Sequence, residues 1–258
     1  MRGRRIPLSR ARRLAIDFLH FASGVPTVPV QRRVRLKPAI DARSALPDRP
    51  SWTAIFVKAF AIVSGEVPEL RRAYVKLPWP QLYEYPVPVA SVMVERDYEG
   101  EKAVLVGRVN DPAALALPEL TRRLRAFHET PVNELKYFRR ALRLTRFPRP
   151  VRRLFIWLGL NLASQRLRYF GTFGVSVYSA LGAESLHPLA PLTALLNYGV
   201  FTPDGDVDVR VIYDHRVLDG ATVARALGRL EEVLAGPIVE ELRALATATA
   251  VRAASRER

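Results

Sequence analysis

Between Val207 and Leu234 the apolar period changes from two residues to 3.6, across the short connector Asp214–Gly220. An alternating strand tied that tightly to an amphipathic helix must lay the helix against a sheet. Further strand patterns are predicted at Thr27–Leu36, Val89–Glu95, Ala103–Val109, Thr172–Val177 and Leu192–Val200. Between them the spacing predicts helices capped by Ser9 and Ser51, a short helix opened by Pro38 and a helix from Asp111-Pro112 to His128. A basic helical stretch is predicted from Pro131 to Phe170, broken at Pro148 and Pro150, and a last helix over 238–245. The fold class is therefore α+β or mixed α/β, in one domain over 1–245 with a frayed Ala/Arg-rich tail over 246–258.

With 258 residues the chain can bury a core without staples, and with no cysteine it has no thiol nucleophile, cysteine-ligated zinc or disulfide. No histidine or carboxylate cluster has metal-ligand spacing. The longest apolar run, Phe155–Ala163, is far short of the ~18 residues that span a bilayer. Asp17 and His20 interrupt what would otherwise resemble a signal peptide, so a cytoplasmic location is expected. The formal charge of +15 is uneven: residues 1–50 carry +9 and residues 121–170 carry +11. Two basic blocks point to a polyanionic partner, whether nucleic acid, anionic lipid or a phosphorylated cofactor. No zinc-finger spacing, RNP-like motif or helix-turn-helix accompanies them, which argues against nucleic acid.

The connector carries the chemistry. It reads Asp214-His215-Arg216-Val217-Leu218-Asp219-Gly220. An imidazole can take a proton from a hydroxyl or thiol and return it, and a tight turn can hold it in place. Asp219 follows four residues later, beside a glycine that permits unusual backbone geometry.

Asp-His-Arg-x-x-Asp-Gly resembles the signature of the catalytic domain of 2-oxoacid dehydrogenase acyltransferases (E2), which shares its fold with chloramphenicol acetyltransferase. Three further segments are similar to that family and stand in its order. They are Ile6-Pro-Leu-Ser-Arg-Ala-Arg12, Phe56-Val-Lys-Ala-Phe60 continuing to Pro68-Glu-Leu70, and Gly171-Thr-Phe-Gly-Val-Ser176. The resemblance covers most of residues 6–235; roughly 97–170 match poorly.

The resemblance implies a chloramphenicol acetyltransferase-like two-layer sandwich, a mixed sheet covered by helices. It implies acyl transfer from a coenzyme A thioester to a hydroxyl, amine or thiol of a small-molecule acceptor. His215 would be the general base and Ser176 would donate a hydrogen bond to the tetrahedral oxyanion. Asp219 would pair with Arg12 as a structural support, with Arg10 and Arg13 as alternatives in that register. A homotrimer, or a higher assembly of trimers, would place the site at a subunit boundary. Asp214 and Arg216 read as residues that shape the loop.

The chain also departs from the family. Its Gly-Leu-x-Val-Pro-Val segment is replaced by Glu101–Val109, and His187-Pro-Leu-Ala-Pro is a shortened counterpart. Free dihydrolipoamide is therefore not the expected acceptor, although a separate lipoylated carrier remains an alternative donor. With the match starting at residue 6, a catalytic domain without lipoyl or subunit-binding domains is expected. Within the basic segment 131–170, Lys136–Phe170 mixes arginines with bulky apolar residues. That suits a packed helical insertion, a helix on an anionic membrane surface, or a lid over an acyl chain. A Ser176/His215 hydrolase and a non-catalytic trimeric scaffold are the competing readings. Gly174-Val-Ser176-Val-Tyr178 lacks the second glycine of a nucleophile elbow.

Overall fold

Ser9 and Ser51 each accept a hydrogen bond from the backbone N–H three residues on, at 3.0 and 3.1 Å, and so open the two helices they were expected to cap. The computed structural model describes residues 3–256. In chain order the elements are α1 (Arg10–Ala22), β1 (Thr27–Arg35), α2 (Lys37–Ser44), α3 (Trp52–Glu66), β2 (Arg72–Val75), β3 (Gln81–Glu84), β4 (Val89–Tyr98) and β5 (Glu101–Asn110). Then follow α4 (Leu117–Glu129), α5 (Lys136–Leu144), α6 (Arg149–Asn161), α7 (Ala163–Phe170), β6 (Phe173–Val175), β7 (Ala194–Tyr198), β8 (Asp206–Asp214), α8 (Gly220–Ala235) and α9 (Pro237–Arg256).

Six strands form one mixed sheet in the order β1-β8-β7-β6-β4-β5. The short β6 runs parallel to both β4 and β7, and the other pairings are antiparallel. Gly171 makes the β6 pairing possible. Its φ is +75°, and a Cβ there would stand 2.6 Å from the Val89 carbonyl oxygen. Thr172 then donates from its backbone to that same carbonyl at 2.9 Å, while its hydroxyl accepts from Val89 N at 2.9 Å. Phe173 follows, fully buried and edge-on to Phe60 of α3. The Gly-Thr-Phe run is thus a clamp between strands.

One face of the sheet carries the main core, built from Val92, Leu196, Val209 and Val211 against α3, α4 and α8. Lys58 sits inside this layer at 8% exposure, tied to Glu241 of α9 at 2.5 Å and to the Leu115 carbonyl at 2.7 Å. That explains a lysine in an otherwise apolar helix. The opposite face presents Met93, Leu195 and Ile212, covered in part by Phe18 and Phe21 of α1 and by Ile156, Leu160 and Phe170 of α6 and α7. The basic segment is therefore packed on the sheet, adding helices to its second face.

Asp17, which looked like an interruption of an apolar stretch, is 1% exposed and accepts from Arg152 at 2.7 Å and Arg153 at 3.1 Å. It staples α1 to α6. Three expectations are corrected. The helix placed at Asp111 begins at Leu117, because Asp111 takes a left-handed φ of 42° and leads only a 3-10 turn over Pro112–Ala114. The proline-rich stretch after Pro78 contains β3, which pairs with β2 in a small separate sheet. The tail expected to fray from 246 is instead helical to Arg256, with Thr247, Thr249 and Ser255 donating to carbonyls one turn back; 257–258 lie outside the described residues. Its alanine content favours the helix.

Candidate active site

β8 delivers the chain to the connector with Asp214 buried at 1% exposure. Its carboxylate accepts from Arg216 three times: from the backbone N at 3.0 Å, Nε at 2.9 Å and Nη2 at 2.7 Å. The Arg216 guanidinium also lies 4.7 Å over the Tyr74 ring. Val217 N and Leu218 N close the turn onto the Asp214 carbonyl, and His215 N donates to Pro26 O at 2.9 Å. Asp214 and Arg216 thus shape the loop as expected, and every backbone anchor works to present one side chain outward. His215 is that side chain. It is half-exposed, 5.5 Å from the Tyr213 ring, with Nδ1 3.9 Å from Asp219 Oδ1. That distance is too long for a hydrogen bond. Burial, and secondarily the nearby Asp219 carboxylate, pushes the Tyr213 phenol up and keeps it neutral.

Two residues stand near this turn that the sequence did not place there. His187 Nε2 meets the Thr27 hydroxyl at 2.8 Å, and Thr27 is the register partner of Asp214. Arg166, buried behind the turn, donates to the Leu160 and Pro191 carbonyls at 3.1 and 3.2 Å. Burial pushes its guanidinium pKa down, while Tyr85 and Asp214 oppose that shift. Only the folding of α7 behind β8 brings it there.

Ser176 lies elsewhere. It is 3% exposed, its N–H donates to Leu196 O at 3.1 Å and its carbonyl accepts from Asn197 Nδ2 at 2.5 Å. Asn197 is paired with Arg210, so Ser176 stands level with position 210 of β8. His215 is five residues further on, about 16 Å along the strand at ~3.3 Å per residue, and two strands across. Within one chain the serine and the imidazole therefore do not meet, and no Ser176/His215 hydrolytic dyad forms there.

The expected Arg12–Asp219 pair is not made either. Arg12 is exposed in the first turn of α1, while the Asp219 side chain is 85% exposed. Ten residues of helix, about 15 Å, separate Arg12 from Ala22, where the chain turns toward His215. The flanking arginines are engaged elsewhere: Arg10 with Tyr98, Thr145, Glu99 and the Leu142 carbonyl, and Arg13 with the Leu8 carbonyl. Among the described residues no group of three or more metal-capable side chains occurs, and no helix is long and apolar enough to cross a membrane.

No family model and no curated protein matches the sequence. Solved structures do match the fold. The Azotobacter vinelandii dihydrolipoamide acetyltransferase, studied for the role of a serine, a histidine and an asparagine in its catalytic mechanism, superposes with TM-score 0.67 at 19% identity, over 91% of this chain and 92% of that one. The cubic core of the pyruvate dehydrogenase multienzyme complex gives 0.64 at 18% identity, over 91% and 92%. A chloramphenicol acetyltransferase gives 0.51 at 14% identity, over 88% and 96%. The chain has the fold of the 2-oxoacid dehydrogenase acyltransferase cores and of chloramphenicol acetyltransferase.

Proposed function

We propose that this protein is an acyltransferase that moves an acyl group from a coenzyme A thioester to a small-molecule hydroxyl, amine or thiol. The observation that carries the reading is His215, projected by an anchored turn on a fold shared with a dihydrolipoamide acetyltransferase and a chloramphenicol acetyltransferase. In the Azotobacter enzyme the histidine and asparagine named in the mechanism are four positions apart, the spacing of His215 and Asp219 here.

In the proposed reaction His215 removes the acceptor proton as the acceptor attacks the thioester carbonyl. The carbonyl becomes a tetrahedral oxyanion, to which Ser176 donates a hydrogen bond. The carbon–sulfur bond then breaks, and the coenzyme A thiolate recovers the proton from His215. With about 16 Å of strand between them, His215 and Ser176 can serve one reaction only if they come from different chains. We accordingly propose a homotrimer or larger assembly with the site between subunits, Asp219 and Arg12 lying near its rim.

The test is thiol release from acetyl-coenzyme A with an acceptor present. His215→Ala should lower kcat/KM by about 10²–10⁴-fold, and Ser176→Ala by about 10²-fold or more. Mixing inactive His215→Ala and Ser176→Ala chains under conditions that exchange subunits should restore about a quarter of the activity, because random partners rebuild a quarter of the interfaces. Unchanged thiol release in His215→Ala would overturn the mechanism, and absence of complementation would overturn the shared site.

A further inference from the structure

The second face of the sheet holds a cavity of about 360 Å³ between α1, β5 and the α5–α7 segment, within the range of small-molecule sites. Leu14, Phe18, Leu144, Ile156 and Phe170 line it. Gly159 makes room for it, since even a Cβ there would come within 3.1 Å of the Phe170 ring. Its wall also carries four arginines, Arg108, Arg140, Arg143 and Arg168, and no acidic residue.

Those cations are poorly compensated. Among the described residues none of the four makes an ion pair with a carboxylate. Arg140 and Arg168 both stand over the single Tyr169 ring, at 5.2 and 5.8 Å, and Arg108 lies 4.9 Å from the Tyr137 ring. Arg108 donates to the Leu167 carbonyl at 2.7 Å, yet its Nε is buried without any hydrogen-bond partner. Such an orphaned buried donor costs stability unless something accepts from it. Arg143 also borders a second cavity, about 750 Å³, where Arg10, Arg96, Arg139 and Arg146 join it against two carboxylates, Asp97 and Glu99, the latter paired with Arg10, so an excess of positive charge extends across α5. An apolar lining with four cations and no carboxylate in its wall is complementary to one kind of molecule.

We propose that this cavity binds a single-chain anionic amphiphile, with the alkyl chain against Leu14, Phe18 and Phe170 and a carboxylate or phosphate head among the four arginines. The site borders neither His215 nor Ser176, so it stands or falls independently of the acyl-transfer reading.

The full chain should be titrated calorimetrically with dodecanoate, dodecyl phosphate and dodecyltrimethylammonium, each below its micelle concentration. Saturable one-to-one binding of one or both anions, with the cation at least tenfold weaker, is expected; the stronger anion identifies the head group. Ala141→Trp, which fills the cavity, should weaken anion binding at least tenfold. Arg140→Gln/Arg168→Gln alters only exposed side chains and should weaken it by about tenfold, whether or not the tryptophan variant folds. No saturable binding, equal binding of the cation, or undiminished binding by the double-arginine variant would overturn the proposal. So would flotation with anionic vesicles that persists in a folded Ala141→Trp protein without uptake of the monomeric amphiphile, since that assigns the charge to a membrane surface.

Discussion

Replacing Asp17 with alanine tests how the α5–α7 segment is fastened to the sheet. Asp17 is 1% exposed and holds Arg152, whose side chain is 9% exposed, and Arg153, at 22%. Removing the carboxylate leaves Arg152 buried with a single remaining acceptor, the Phe147 carbonyl at 3.0 Å. Breaking a buried pair in this way costs about 3–5 kcal/mol, because the surviving charge stays desolvated. Arg153 can turn to water, and alanine suits a helix better than aspartate by up to about 0.7 kcal/mol. A net loss of about 3 kcal/mol is expected. For a domain of this size that lowers the melting temperature by about 6–12 °C. Thermal and urea unfolding of the full chain would measure it. Asp17→Leu/Arg152→Leu, which removes both charges, should recover more than half of the loss. A drop below about 2 °C in Asp17→Ala, or a double variant no better than the single, would refute the staple.

Tyr85 gives a pH test. Burial pushes its phenol up to about 12, while in an unfolded chain it ionises near 10. The folded state therefore keeps a proton that the unfolded state loses, so stability is intact below about pH 10 and declines from there to about pH 12. Tyr85→Phe should flatten that decline in denaturation curves, while losing about 1 kcal/mol at neutral pH with the hydrogen bond to the Ala163 carbonyl. Gly171→Ala should cost about 2 kcal/mol or more in urea melts, because alanine must adopt φ +75° against the Val89 carbonyl; a change under about 0.5 kcal/mol would contradict the clamp. Asp214→Asn should reduce transfer activity more than His187→Ala does, since Asp214 anchors the turn through three hydrogen bonds from Arg216. Equal kcat/KM values for these two variants would count against that anchoring.

Much of this was legible in the sequence because its causes are local. Ser9 and Ser51 cap because a side-chain oxygen can reach a backbone N–H one turn on. The alternation of Val207, Val209 and Val211 reports one buried face of β8, and the connector after Tyr213 has too few residues to be anything but a tight turn. The place of His215 on a tight turn and the loop-shaping role of Asp214 and Arg216 could be read from those few positions; that the ring is presented outward is seen only in the structure.

What the tertiary structure decided are the relations between distant segments. Strand order puts Ser176 level with Arg210 rather than with His215, and hydrophobic alternation along each strand is blind to which strands become neighbours. The direction of α1 across the sheet carries Arg12 away from Asp219 and Asp17 onto Arg152. A cavity bounded by residues of five elements has no footprint in any one of them. Periodicity states which face of an element is apolar; only the packing of whole elements decides which charges and voids those faces enclose.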